Sequence, residues 1–251
     1  MSAYRQNPLA NIPPVVRNLL IINVICFLPS LIFNADNGEK YIQLFGVYYF
    51  NSPLFRPWQI ITHLFLHGGF AHIFFNMFAL YSFGMAIEYT LGSKRFFSFY
   101  FICGLGAIAL QMAVQAYEVH ALTGSFAPMH GHGIPTTFGD LQSMLNVQLS
   151  EGGLKKLSEI YFAPMVGASG AIFGLLIAFG MLFPNAELMI LFIPVPVKAK
   201  YIIPVYVIIE LVLGVGQFSG DSVAHFAHLG GAILGFILIK IWRVQRPENF
   251  F

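Results

Sequence analysis

The chain reads as an all-α membrane protein, a bundle of six transmembrane helices with both termini on the cytoplasmic side (N-in/C-in). Composition is the first reason: 57% of the 251 residues are hydrophobic and 10% are charged, with a mean hydropathy of +0.72. That is more apolar surface than a soluble core needs to bury. The second reason is the bilayer itself, where a backbone must satisfy its own hydrogen bonds, leaving helices or closed barrels. Long apolar runs, rather than alternation, select helices. The third is charge. An even number of spans puts both termini on one side, and with that side inside, Arg5, Arg17, Lys94, Arg95, Lys198, Lys200, Lys240, Arg243 and Arg246 are cytoplasmic. Only Lys40, Arg56, Lys155 and Lys156 lie outside, as the positive-inside rule requires.

The six apolar segments fall at about 15–33, 70–89, 96–116, 169–183, 201–217 and 223–242. This predicts a short cytoplasmic N-terminus (1–14), a six-helix membrane domain (15–242) with an extended outer loop (about 118–165), and a cytoplasmic tail (243–251). Residues 1–18 lack the charged start and small-residue cleavage site of a removable signal, so the first segment is expected to stay as an anchor. The formal net charge of +2 is small and dispersed, which argues against nucleic acid as a partner. Cys26 and Cys103 each sit in an apolar run without metal or redox spacing and read as packing residues.

Two outer loops carry their own signals. Between residues 36 and 59, Phe45, Tyr48, Tyr49, Phe50, Phe55 and Trp58 form an aromatic set suited to the membrane–water interface. In the long loop, Leu141, Met144, Leu145, Leu154 and Leu157 stand among polar residues, the pattern of short interfacial helices. His130 and His132 in His-Gly-His-Gly lack nearby Cys, Asp or Glu partners, so a polar loop is the better reading than a metal site.

Chemistry concentrates at three helix starts. The fourth segment has 15 residues, roughly 22 Å of helix, while a span needs about 20 residues, so its start should be sunk below the surface. That start is Gly167-Ala168-Ser169-Gly170. A serine there has the free N–H groups and positive dipole end of a helix beside it. The alternative is an N-cap serine followed by a Gly170/Gly174 packing face. The sixth segment opens with His225-Phe226-Ala227-His228, and Gly231 and Gly235 repeat the Gly-xxx-Gly spacing that lets helices approach closely. An ionisable side chain in a membrane helix is costly unless used or paired. His228 is therefore either a base for the serine or a structural tie, with His225 interfacial or supporting. In the second segment, His72 and Asn76 share one helical face; both are donors that could stabilise an oxyanion or clamp two helices. His63 and His67 read as structural.

The second, fourth and sixth segments all enter from the outside, so His72, Ser169 and His228 share one shallow depth. Nucleophile, base and oxyanion donors in one water-accessible pocket meet the geometric requirements of acyl transfer. No membrane-embedded Asp or Glu is expected on that side, which implies a Ser–His dyad rather than a triad. A proton-coupled transporter would call for further acidic groups at mid-membrane and internal repeats, and neither is expected.

These residues resemble the rhomboid family of intramembrane serine proteases from about Trp58 to the end of the sixth segment. The motifs are Gly167-Ala168-Ser169-Gly170, Ala227-His228-Leu229-Gly230-Gly231 and His72-Ile73-Phe74-Phe75-Asn76, with Phe83-Gly84, Glu88 and Leu91-Gly92-Ser93 at the second-helix exit. The resemblance implies a six-helix rhomboid-like bundle with Ser169 and His228 catalytic. It implies an oxyanion site from His72, Asn76 and the Ser169 backbone, cleavage of transmembrane proteins in the lipid bilayer, and no cofactor or metal. A bacterial cytoplasmic (inner) membrane, with the site opening outward, is the expected location. The chain differs from some relatives in having Trp58-Gln59 where they have Trp-Arg, and in its extended loop. No cytosolic domain is expected ahead of the first helix, and so no regulation by one. A non-catalytic relative that binds membrane proteins for quality control is the remaining alternative.

Overall fold

The structure is a computed structural model and describes residues 11–33, 35–130, 133–190, 193–216 and 224–247. His132 lies outside the described residues. Four helices are long and apolar enough to cross a membrane: α1 (Pro14–Ile32), α4 (Phe70–Leu91), α5 (Ser93–Thr123) and α9 (Ala199–Gly216). Two shorter apolar helices, α8 (Ser169–Leu182) and α10 (His225–Ile241), complete the set of apolar segments. Their outward faces are rich in exposed Phe, Ile, Leu and Val, such as Phe74, Phe78, Ile208 and Ile237. A soluble protein would hide such faces, and lipid solvates them. The chain is an integral membrane protein.

Four features depart from the sequence reading. α5 runs 31 residues, about 46 Å at 1.5 Å per residue, because the helical pattern continues past Ala116 until Gly124 ends it in a left-handed cap (φ 74°, ψ 5°). The overhang brings Val119 into a second apolar cluster with Leu141, Leu145, Leu154, Leu157, Tyr49 and Tyr161. The short helices α6 (Phe138–Ser143) and α7 (Glu151–Phe162) therefore turn their leucines onto protein rather than lipid. For the same reason Tyr48 and Tyr49, expected at the interface, are fully buried, while Phe50 and Trp58 are half exposed.

The fourth departure is a two-stranded antiparallel ribbon, β1 (Glu187–Ile190) with β2 (Ile193–Lys198), which an all-α reading does not anticipate. Glu187 pairs with Lys198 and Leu188 with Val197. Pro196 is tolerated because a two-stranded ribbon has only edges.

The loop between α2 (Ala35–Phe45) and α4 is tied down by polar contacts. Trp58 Nε1 donates to the Leu44 carbonyl (3.0 Å), and Gln59 Nε2 to the carbonyls of Leu54, Gln43 and Leu44. The Gln59 Oε1 accepts the Arg56 N–H (2.9 Å), so the glutamine anchors the loop. Val47 and Met165 exchange backbone bonds of 2.9 and 2.8 Å, which fixes the approach to α8.

At the opposite end, α1 begins with Pro14 and needs partners for its free N–H groups. Glu88, 2% exposed, supplies them. Its carboxylate accepts Val15 N–H (3.0 Å) and Val16 N–H (2.8 Å), and Ser93 Oγ donates to it at 2.7 Å. Glu88→Ala should thus lower stability by on the order of 3 kcal/mol, read as thermal unfolding in detergent. Glu159→Ala, which breaks an exposed pair with Lys155, should change it little; equal effects would contradict the capping role.

Candidate active site

α8 starts where Gly167 turns the chain with φ +129°, a region L side chains rarely adopt. Gly167 N–H donates to the His63 carbonyl (2.9 Å), pinning the turn to the α3 (Gln59–Thr62) region and its following 3-10 turn (His63–Phe65). A side chain at 167 would put its Cβ 2.9 Å from His72 Nε2 and 3.5 Å from Ser169 Oγ. Glycine therefore keeps open the space that both polar groups face. The first bond of the helix proper runs from Ile172 N–H to Ala168 O (3.0 Å). The N–H groups of Ser169, Gly170 and Ala171 precede it and are available to an anion.

Three helices meet through backbone at this end. A Cβ on Gly231 would collide with the Gly170 carbonyl oxygen, and one on Gly235 would sit 2.6 Å from that of Gly174. On the other side of α8, Gly170 abuts Ala107 and Gly174 abuts Cys103 of α5. The Gly-xxx-Gly spacing of α8 thus meets that of α10, and both lie against α5.

That approach brings His228 to Ser169. His228 Nε2 and Ser169 Oγ are 2.9 Å apart. The imidazole stacks on Phe173, with centroids 4.3 Å apart and planes 8° off parallel. Phe173 follows Ser169 by one turn and packs in turn against Tyr206 of α9 (5.2 Å). The ring plane of His228 is therefore fixed by the helix that carries the serine.

His72 lies in the first turn of α4. Gly68 N–H donates to its Nδ1 (3.3 Å); in a neutral ring the proton then belongs on Nε2, the nitrogen facing Gly167 and Ser169. Asn76, one turn further, is 6% exposed, but no hydrogen bond among the described residues ties it to Ser169. His63 and His67 are buried, and burial pushes them down to about 4 and about 3 respectively; the charge of His72 adds to the effect on His67. Both stay neutral. His63 Nδ1 bonds the Gln59 carbonyl (2.9 Å), a structural use. His130 contacts Asn146 (2.6 Å) in the segment between α5 and α7.

A cavity of about 30 Å³ opens beside Ser169, walled by His63, Gly104, Ala107, Gly167, Gly170 and Ala227. Leu64, Ile108, Met165 and Val166 close the rest of it, and its small volume leaves room for no more than a methyl-sized group.

The expectation that no acidic side chain reaches the histidine is overturned. Glu210 of α9, 5% exposed, holds its Oε2 2.9 Å from His228 Nδ1 and 2.6 Å from His225 Nδ1. Shared depth brings together the starts of α4, α8 and α10, whereas Glu210 stands well inside α9. α9 runs the other way, and its mid-helix reaches the same pocket. One signal was present: Glu210 is the sole charged residue in the apolar run 201–217, which lipid penalises unless it is paired. The ligand atoms of Glu210, His225 and His228 lie within 4.8 Å of one another. Ligands of a tetrahedral zinc with bonds of about 2.0–2.1 Å stand roughly 3.3 Å apart, so the 2.6 and 2.9 Å separations are those of hydrogen bonds.

The class of protein follows from the fold and this cluster together: an integral membrane protein with a serine and histidines gathered in a pocket among apolar helices. Residues 55–244 match the Rhomboid domain family, and the chain belongs to it. It is 27% identical over 245 residues to Rhomboid protease AarA of Providencia stuartii, covering 92% of this chain and 73% of that protein. RHOMBOID-like protein 5 of Arabidopsis thaliana is 32% identical over 184 residues (72% and 44%). Rhomboid protein 1, mitochondrial, of Saccharomyces cerevisiae is 30% identical over 179 residues (71% and 40%). The chain therefore spans less than half the length of the last two.

The helix contact gives a test. Gly231→Ala should cost about 1–3 kcal/mol or more, because the methyl meets backbone that cannot move aside. Gly38→Ala, with nothing within 4 Å of the added methyl, should leave the thermal midpoint in place or raise it slightly. Equal midpoints for wild type and Gly231→Ala would contradict the backbone contact.

Proposed function

We propose that this protein is an intramembrane serine endopeptidase that cuts transmembrane proteins near the extracytoplasmic face of the bilayer. The observation that carries the reading is the 2.9 Å approach of His228 Nε2 to Ser169 Oγ beside a helix N-terminus, in a chain of the rhomboid family. All six apolar helices are read as traversing the bilayer, N-in/C-in, with the charge distribution of the loops as support. The membrane is read as a bacterial cytoplasmic membrane, on the similarity to the Providencia stuartii protease.

The chemistry follows from the parts. Ser169 Oγ attacks a peptide carbonyl carbon while His228 Nε2 takes the hydroxyl proton. The oxygen becomes an oxyanion, met by His72 Nε2–H and the N–H groups at the α8 start. Collapse breaks the C–N bond, His228 passes the proton to the leaving amine, and water then hydrolyses the acyl-serine by the same route. Asn76 is read as a further oxyanion donor once substrate is bound.

Substrate shape is constrained as well. A carbonyl inside a regular helix is hydrogen-bonded and screened, so the segment must open before Ser169 can reach it. Gly or Pro near the cut weakens helix and should help, and the small cavity beside Ser169 favours Ala or Gly at the cut itself.

Mass spectrometry of products from a reconstituted transmembrane substrate tests the reading. The wild type should cut near the extracytoplasmic end at a small residue, Ser169→Ala and His228→Ala should not cut, and His72→Ala should be slower by roughly 10–1000-fold. Unchanged cleavage by Ser169→Ala would sink it. Binding of the substrate without cleavage by the wild type would point instead to a non-catalytic quality-control factor.

A further inference from the structure

Resting on the protease reading, we infer that Glu210 is a positioning residue that turns Ser169 and His228 into a Ser–His–Glu array, with His225 as the second donor to the same carboxylate oxygen. An ionised carboxylate only accepts hydrogen bonds, so a ring nitrogen bonded to it carries a proton. Glu210 Oε2 at 2.9 Å from His228 Nδ1 therefore selects the Nδ1–H form of the neutral imidazole. In that tautomer Nε2 has a lone pair, and Nε2 is the atom 2.9 Å from Ser169 Oγ. The opposite tautomer would present N–H to the serine and could not take its proton.

Two restraints then act on one ring. Phe173 fixes its plane, and Glu210 fixes which edge faces α8 and which proton it carries. When His228 gains the serine proton, the carboxylate already stands against the new positive charge and needs no rearrangement to stabilise it. The polar and aromatic groups gathered at His228 are Ser169 and Phe173 on α8, Glu210 on α9 and His225 on α10, with Tyr206 of α9 behind Phe173 and His72 of α4 close enough to feel its charge; α5 packs the glycine face of α10 with Gly106, Ala107 and Leu110.

His225 accounts for the carboxylate's orientation. Its Nδ1 lies 2.6 Å from the same Oε2, and both side chains are buried. A lone glutamate in an apolar helix is free to swing toward water; one held by two imidazole donors is not. The burial of a carboxylate among apolar residues is unfavourable on its own, and these two bonds offset it.

The test uses the full chain in liposomes with a model transmembrane substrate. Glu210→Gln should lower kcat by up to roughly 10⁴-fold, the loss seen when a triad carboxylate becomes an amide, with KM and the thermal midpoint close to wild type. Glu210→Asp should recover more of kcat than Glu210→Ala. Activity of Glu210→Gln within about threefold of wild type, or losses that only follow falling midpoints, would overturn the inference in favour of a tie between α9 and α10. An independent readout does not need cleavage: the tautomer of His228 in ¹⁵N-histidine-labelled protein, assigned with His228→Ala. Nδ1–H in wild type and its loss in Glu210→Ala is the expected result, whereas Nε2–H in wild type overturns the positioning role. A failure of the protease reading itself is distinguishable, because the wild type would then bind without cleaving, or Ser169→Ala would cleave as the wild type does, while the tautomer readout stood unchanged.

Discussion

The backbone contact between α8 and α10 is the constraint on which the rest of this molecule depends. Association of helices in lipid has no hydrophobic driving force behind it, so close packing and hydrogen bonds must supply the attraction. Here the attraction is built from missing side chains: Gly170 and Gly174 on one helix, Gly231 and Gly235 on the other, and Ala107 and Cys103 of α5 behind them. The separation set by these residues is what lets an imidazole on α10 reach a hydroxyl on α8 at 2.9 Å. Any larger side chain at the crossing would move the two polar groups apart together with the helices that carry them.

Polar groups inside the apolar region are then handled by pairing. Glu88 takes the free N–H groups of α1 and the hydroxyl of Ser93, joining the start of α1 to the α4–α5 corner. Glu210 takes two imidazoles. Both carboxylates are nearly inaccessible, yet one closes a helix end far from the pocket and the other stands inside it. The segments before α4 and α8 add the remaining alignment: Val47 and Met165 bond to each other, and His63 bonds through its carbonyl to Gly167. The turn before Ser169 is thus held by the segments that precede α4 and α8.

Much of this was legible because lipid leaves so few choices. Apolar runs place the helices, and helix starts α8 and α10 fall at Ser169 and within a few residues of His228, as run length and glycine spacing suggest. What stayed hidden depends on contacts between distant segments. The overhang of α5 looks like loop until Val119 finds Leu141 and Tyr161, and the aromatic loop looks interfacial until Tyr48 and Tyr49 are covered. The β1–β2 ribbon contains two prolines in six residues of one strand, which reads as loop. Glu210 was visible as a charge out of place but its partner was not, because register between helices of opposite direction cannot be counted from sequence. Asn76 shares a face with His72, and its bond to the site is not among those formed here.

Intact-mass and peptide mapping after treatment with a fluorophosphonate most directly tests whether Ser169 is an activated nucleophile. The reagent phosphonylates a serine oxygen and releases fluoride, so it reports activation without any assumption about substrate. The account predicts a single adduct on Ser169 in the wild type, no adduct in Ser169→Ala, and sharply slower labelling in His228→Ala. An unlabelled wild type that is folded by its thermal midpoint, or an adduct that persists in Ser169→Ala, would contradict it.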